Sequence, residues 1–287
     1  MTLEAPMRCS ALAEELAEPM VGTVDQRVRW LLIEDRSAWG SEAVSDVIGA
    51  ERAATAKRLD LRVQLIRRRE GPPQTDAPRT AFLVDTDARI VASREIRSLD
   101  GLDLEAAAAA PVDDFGERVG GSMFLVCTNG KRDACCALRG RALMAALAAQ
   151  EPDALWETTH LGGHRFAANL VCLPAGIVYG RVRPEDGLRL VAAYRAGRLD
   201  PELLRGRSAW PAPAQVAEAE LRRSLALDGV DDLRLEGVES QEESATVIFV
   251  VDGRTHRLTL RAERSDPARP TSCRADKLEA PIHWRLA

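Results

Sequence analysis

The order of elements between Ser122 and Gly180 constrains the fold more than any other stretch. Phe124 to Val126 is a short apolar run that reads as a buried strand, and Asn129-Gly130 breaks it. From Ala134 to Gln150 the pattern turns helical, with Leu138, Leu143, Met144 and Leu147 expected as its apolar stripe. Asp133 stands at the head of that run, where a carboxylate caps the first turn. Leu155 to Thr159 is a second strand-like run. Strand, helix and strand in such close succession predict a parallel β-α-β unit, whose strands bring their carboxyl ends to one sheet edge. Ala168–Leu173 and Gly176–Gly180 then pair around Pro174-Ala175. Pro184 to Ala196 supplies a helix closed by Gly197.

The first half of the chain repeats this order. Arg29–Glu34 is a strand, Ser37–Gly40 a loop, and Glu42–Leu59 a helix broken near Gly49. Leu61–Ile66 alternates as a half-buried strand does, and Gly71 to Pro78 is a proline-rich connection. Thr80–Val84 and Ile90–Arg94 form a hairpin about Asp85–Ala88, and Pro111 stops a helix over Asp103–Ala110. β-α-β-β-β-α is the order of a thioredoxin-like domain. The expected fold is therefore α/β with a mixed sheet, built from two thioredoxin-like halves over residues 1–115 and 116–205. A C-terminal helix–hairpin extension follows over 206–287. There Trp210–Pro213 is a linker, Ala214–Leu227 a helix and Glu239–Glu243 an acidic loop. Ala245–Val251 pairs with Arg254–Leu260 across Asp252-Gly253. Ser10–Leu16 is a short N-terminal helix.

The chemistry falls on the second half. Cys127 ends a strand and Cys135-Cys136 open a helix, so thiols stand at both rims of one loop. Helix dipoles with Lys131 and Arg132 there favour thiolate over thiol. His160 and His164 flank Gly162-Gly163, a pair that turns the chain and admits backbone N–H groups to whatever the histidines hold. The chain has four histidines, and half of them fall here. His256, on a strand, and His283, near a frayed terminus, are expected to be structural. Cys172 reads as a small core hydrophobe. Cys9 and Cys273 carry no assignment.

A formal net charge of −5 argues against a nucleic-acid binder, which normally shows a basic domain, and Arg67–Arg69 reads as a solvated strand edge. No apolar run is long enough to span a bilayer, and the N-terminus lacks a signal peptide's apolar stretch. A cytoplasmic protein with six cysteines is expected to use them for metal ligation or redox chemistry rather than for disulfides.

Cys127-Thr-Asn-Gly-Lys-Arg-Asp-Ala-Cys-Cys136 and His160-Leu-Gly-Gly-His-Arg-Phe-Ala-Ala-Asn169 together resemble the sucrase/ferredoxin-like family, related to thioredoxin-like [2Fe–2S] ferredoxins. The resemblance extends to Glu18-Pro19, Gly22-Thr23 and Trp30–Glu34. It implies the branch in which two histidines replace the second cysteine pair. Eukaryotic members usually carry histidine where this chain has Asn129, and glycine where it has Ala137. The spacing from Arg132-Asp133 matches Cys136 to the family's second cysteine ligand, which leaves Cys135 an extra thiol. The implied protein is an electron carrier rather than a stand-alone enzyme, with a [2Fe–2S] cluster on Cys127, Cys136, His160 and His164 and a redox protein as partner. Lys131, Arg132, Asp133, Gly162, Gly163 and Arg165 would surround the cluster, and histidine ligation admits proton coupling.

Two alternatives use the same residues. A zinc site suits the His-x3-His spacing, although Cys-x8-Cys is wider than the usual pair. Thiol–disulfide chemistry would use Cys135 and Cys136 or Cys127, but lacks Cys-x-x-Cys. Sucrose hydrolysis is rejected, because no carboxylate pair stands in a suitable context.

Overall fold

The structure, a computed structural model, describes residues 8–68 and 78–287. Arg69 and most of the expected proline-rich connection lie outside the described residues. The first part comprises α1 (Cys9–Glu15), β1 (Arg29–Glu34), α2 (Ala43–Ile48), α3 (Ala50–Arg58), β2 (Arg62–Arg67), β3 (Arg79–Asp85), β4 (Ile90–Ile96), α4 (Leu104–Ala109) and β5 (Glu117–Arg118). Next come β6 (Met123–Cys127), α5 (Ala134–Leu147), β7 (Leu155–Thr158), β8 (Leu170–Leu173), β9 (Ile177–Tyr179), α6 (Pro184–Arg195) and β10 (Leu204–Arg207). The last part holds α7 (Ala212–Leu225), β11 (Arg234–Ser240), β12 (Ser244–Val251), β13 (Arg254–Arg264) and β14 (Ile282–Leu286).

Ten strands form one mixed sheet in the order β10-β9-β8-β6-β7-β2-β1-β3-β4-β5. Its two halves are wired alike. β1 runs parallel to β2 and antiparallel to β3, which pairs with β4; β6 runs parallel to β7 and antiparallel to β8, which pairs with β9. Both halves thus have the thioredoxin-like order, and they meet through the antiparallel pair β2·β7, with Ile66 opposite Thr158. β10 lies across the residue 205/206 division, and β5 returns to the edge of β4.

Side chains alternate across a strand, and the cores follow that parity. Leu31 and Ile33 join Leu65 and Leu83 under α2, α3 and α4. Phe124 and Val126 join Leu143, Met144, Leu147, Leu190 and Val191 under α5 and α6. On the other face Trp30, Leu32, Phe82 and Val84 from one half meet Leu125, Val171 and Leu173 from the other in one cluster. β11–β14 form a separate four-stranded antiparallel sheet against α7, with Phe249 and Val247 on Ala214 and Ala217.

Three expectations need correction. Leu138 is 55 % exposed. The face of α5 turned to the sheet is Cys136, Gly140, Leu143, Met144 and Leu147, from which Leu138 stands well out of phase at about 100° per residue; Cys135, also buried, faces Cys9 instead. His283 does not lie in a frayed terminus, because β14 pairs it with Glu263 of β13 and buries it. The acidic stretch at Glu239 is in part strand, since β11 runs to Ser240.

Candidate metal centre

The parallel pair β6·β7 fixes the location. Cys127 is the last residue of β6, opposite Thr158 at the end of β7, so the loops leaving both strands start side by side. One loop leads through Asn129 to Asp133, whose carboxylate accepts a hydrogen bond from the Cys135 N–H at 2.8 Å and caps α5. Gly140 lets α5 lie directly on the β6 carboxyl end, where a Cβ would collide with the Cys127 carbonyl oxygen. The other loop carries His160, the Gly162-Gly163 turn and a short 3-10 segment, His164–Phe166.

These loops bring donor atoms together. The sulfurs of Cys127 and Cys136 and a ring nitrogen of His160 lie within 4.8 Å of one another. The His160 and His164 rings stack with centroids 4.4 Å apart, and their Nδ1 atoms are separated by 3.3 Å. Two nitrogens on one tetrahedral metal, at about 2.0–2.1 Å each, stand roughly 3.3–3.4 Å apart. The Cys135 sulfur is directed elsewhere, onto Cys9 and Cys273.

Electrostatics favour a thiolate at Cys127 and a neutral imidazole at His164. The hydrogen bond shared with Cys136 holds the Cys127 thiol well below its usual range; burial opposes this, while His160 and the Leu161 N–H reinforce it. The partner thiol, Cys136, is correspondingly raised. Burial, then His160, push His164 down to about 4, so its imidazole is neutral at pH 7.

Two arginines, the partly buried Arg62 and the fully buried Arg205, adjoin the site, and sequence reasoning assigned neither. Because β2 runs antiparallel to β7, its first residues sit beside the loop after β7. Arg62 donates to the Leu161 carbonyl at 2.7 Å, and Gln64 to the His160 carbonyl at 3.2 Å. Arg205, on β10, donates to Asn169 Oδ1 at 2.7 Å, Thr23 O at 2.9 Å, Thr23 Oγ1 at 3.2 Å and Gly162 O at 3.4 Å. All four acceptors are neutral. Burial lowers Arg62 to about 10, opposed first by Asp25, 3.6 Å away, and more weakly by Cys127; burial, with Arg165 and Arg62, lowers Arg205 to about 9, opposed by Cys136 and Cys127. Gly163, at φ +66°, packs on the Arg205 guanidinium so closely that a Cβ would stand 2.7 Å from Cζ.

The remaining expected neighbours divide. Gly162 and Gly163 form the turn between the histidines. Lys131 is exposed. Arg132 pairs with Glu42, and Asn129 donates to the Gly40 carbonyl at 3.1 Å. A small cavity of about 140 Å³, lined by Glu42, Asn129, Arg132 and His160 among others, opens here. Arg165 gives its Nε to Glu18 at 2.7 Å, and its charge acts on the neighbouring His164. Glu18 is fully buried and also receives Arg269 Nε at 2.9 Å, with His283 Nε2 at 3.6 Å. Cys172 sits in the aliphatic core, as expected.

The sequence model of the sucrase/ferredoxin-like family matches residues 20–206. Among solved structures, two cysteine-to-serine variants of the thioredoxin-like [2Fe–2S] ferredoxin from Aquifex aeolicus align with 29 % of this chain and 97 % of theirs. They are 18 % and 19 % identical, with TM-scores of 0.26 and 0.27. A search of curated proteins returned no match. With well over half its length matched, the chain belongs to the sucrase/ferredoxin-like family.

Proposed function

We propose that the protein is an electron carrier that holds a [2Fe–2S] cluster through Cys127, Cys136, His160 and His164. The observation that carries this reading is the meeting of two thiols with His160, against whose ring His164 stacks with the two Nδ1 atoms 3.3 Å apart. The donor chemistry fits: thiolates suit iron–sulfur clusters, and two neutral imidazoles replace two thiolates in Rieske-type centres. When bound, such a cluster supplies reversible one-electron transfer.

The chain's own groups set the charge balance. Two ferric ions, two sulfides and two thiolates would sum to zero with neutral imidazoles, so reduction would leave a single negative charge. Arg205, buried among neutral acceptors, and Arg62, partly offset by Asp25, would place positive charge beside it and favour the reduced form. Asn169 links Arg205 to the Gly163 carbonyl and holds the turn that spaces the histidines. Histidine ligation would admit proton uptake on reduction, and the small cavity that His160 lines is where solvent would reach that ring. That cavity side is where a redox protein partner would approach. The ligand-free first half serves as support, through Arg62 and Gln64.

A single zinc ion is the second reading, favoured by the compactness of the Cys127, Cys136 and His160 donor atoms. Anaerobic purification with metal and sulfide analysis separates the two. The proposal expects visible charge-transfer bands and equal iron and acid-labile sulfide bound through the Cys127 site. Zinc there without sulfide would overturn it.

A further inference from the structure

Three cysteines remain after the site and the core have taken theirs, and the fold brings all three together. Cys9 opens α1, Cys135 is in the first turn of α5, and Cys273 lies in the segment between β13 and β14. Their sulfurs are 3.6 Å (Cys9–Cys135), 3.3 Å (Cys135–Cys273) and 3.5 Å (Cys9–Cys273) apart. Both carboxylate oxygens of Asp133 stand 3.9 Å from the Cys9 sulfur. We propose that Cys9, Cys135 and Cys273, with Asp133 as fourth donor, form a structural zinc site separate from the Cys/His centre.

The geometry favours a metal over a disulfide. A disulfide brings two sulfurs to about 2.05 Å and leaves the third out, whereas here the three are nearly equidistant. Sulfurs at about 2.3 Å from one tetrahedral zinc are roughly 3.7–3.8 Å apart, and a carboxylate oxygen lies about 3.6 Å from each sulfur. The observed spacings fall within a few tenths of an ångström of those edges. Three soft donors and one carboxylate, closed by protein on every side but that of Cys273, suit a structural Zn²⁺.

The surroundings are built for bound anionic ligands. Ser10 Oγ, itself buried, donates to the Cys135 sulfur at 3.2 Å. Asp133 Oδ1 accepts from the Cys135 N–H at 2.8 Å and Oδ2 from the Cys273 N–H and Ser272 Oγ at 2.9 and 3.2 Å, which orients the carboxylate and leaves Oδ1 a further lone pair on the side of the Cys9 sulfur. No other function of the described residues accounts for three thiols drawn from positions 126 and 138 residues apart. A metal there would clamp the N-terminal helix and the C-terminal segment to the helix that carries Cys136, and so brace the Cys/His centre from behind.

The test uses the full chain. Zinc content and Co²⁺ binding are measured for the wild type, Cys9→Ser, Cys273→Ser and His160→Ala/His164→Ala, with iron and sulfide assayed in the same samples. The proposal expects about one zinc per chain in the wild type and in the histidine variant. In Cys273→Ser, whose loop position spares the core, zinc affinity falls by at least ~100-fold while iron and sulfide stay. Co²⁺ gives sulfur-to-metal charge-transfer absorption that weakens in both cysteine variants. Zinc lost only with the histidines would overturn the proposal. So would a metal-free protein whose mass shows two hydrogens missing, which would mark a Cys135–Cys273 disulfide. Absence of iron and sulfide alongside cysteine-dependent zinc would refute the cluster but leave this site standing.

Discussion

Glu18 ties together three distant parts of the chain. It is buried between Arg165 of the histidine loop and Arg269 and His283 of the C-terminal segment. Burial alone would raise its pKa, but proximity to His283, the hydrogen bond from Arg269 and the charge of Arg165 bring it from 4.5 to about 2. A carboxyl depressed in the folded state stabilises the fold above its unfolded pKa, and that stability is lost as pH falls toward the folded value. At about 1.4 kcal/mol per pH unit, the ionised form contributes about 3 kcal/mol at neutral pH, comparable with breaking a buried ion pair. Glu18→Gln keeps the shape and removes the charge. Denaturant unfolding of wild type and variant should differ by about 3 kcal/mol at pH 7, and the gap should narrow to about half that by pH 3. A gap that is negligible at pH 7, or that does not change with pH, would refute the assignment of Glu18 as an ionised clasp.

Three further outcomes follow from the site. Gly163→Ala forces a Cβ onto the Arg205 guanidinium at a left-handed φ, so cluster occupancy, read from iron and sulfide per chain, should fall several-fold while far-ultraviolet dichroism stays native. Arg205→Gln removes a buried cation whose acceptors are all neutral, and the midpoint potential should drop by tens of millivolts, with Arg205→Lys closer to wild type. Cys136→Ala should abolish the visible bands while Cys135→Ala keeps them, because the two sulfurs join different groups; the reverse pattern would show that the ligand register is wrong by one.

The parts of this molecule that follow local rules were legible in the sequence. The β6–α5–β7 unit, the Asp133 cap, the β12–β13 hairpin and the break at Gly49 each rest on residues within a few positions of one another. Features that depend on burying charge were not. β10 reads Leu-Arg-Gly-Arg, yet all four residues are buried, Arg205 on the metal centre and Arg207 on Glu218. A hydropathy pattern assigns such arginines to solvent. Leu138 erred in the other direction, since apolar content alone does not set the phase of a helix. The contribution of β2 to the site arises from the antiparallel joint with β7, which no single segment encodes. The thiol group at Cys9, Cys135 and Cys273 left one trace in the sequence, a surplus of cysteines beyond what the site and core could use.

The central claim is that two imidazole nitrogens stand where most ferredoxin clusters have sulfur. Pulsed electron paramagnetic resonance on the dithionite-reduced, ¹⁵N-labelled protein reads this directly, because nitrogen bound to the reducible iron couples strongly to the unpaired electron. The account predicts two strongly coupled nitrogens, one lost in His160→Cys and the other in His164→Cys. A cluster that shows no strongly coupled nitrogen, or keeps both couplings in either variant, would contradict it.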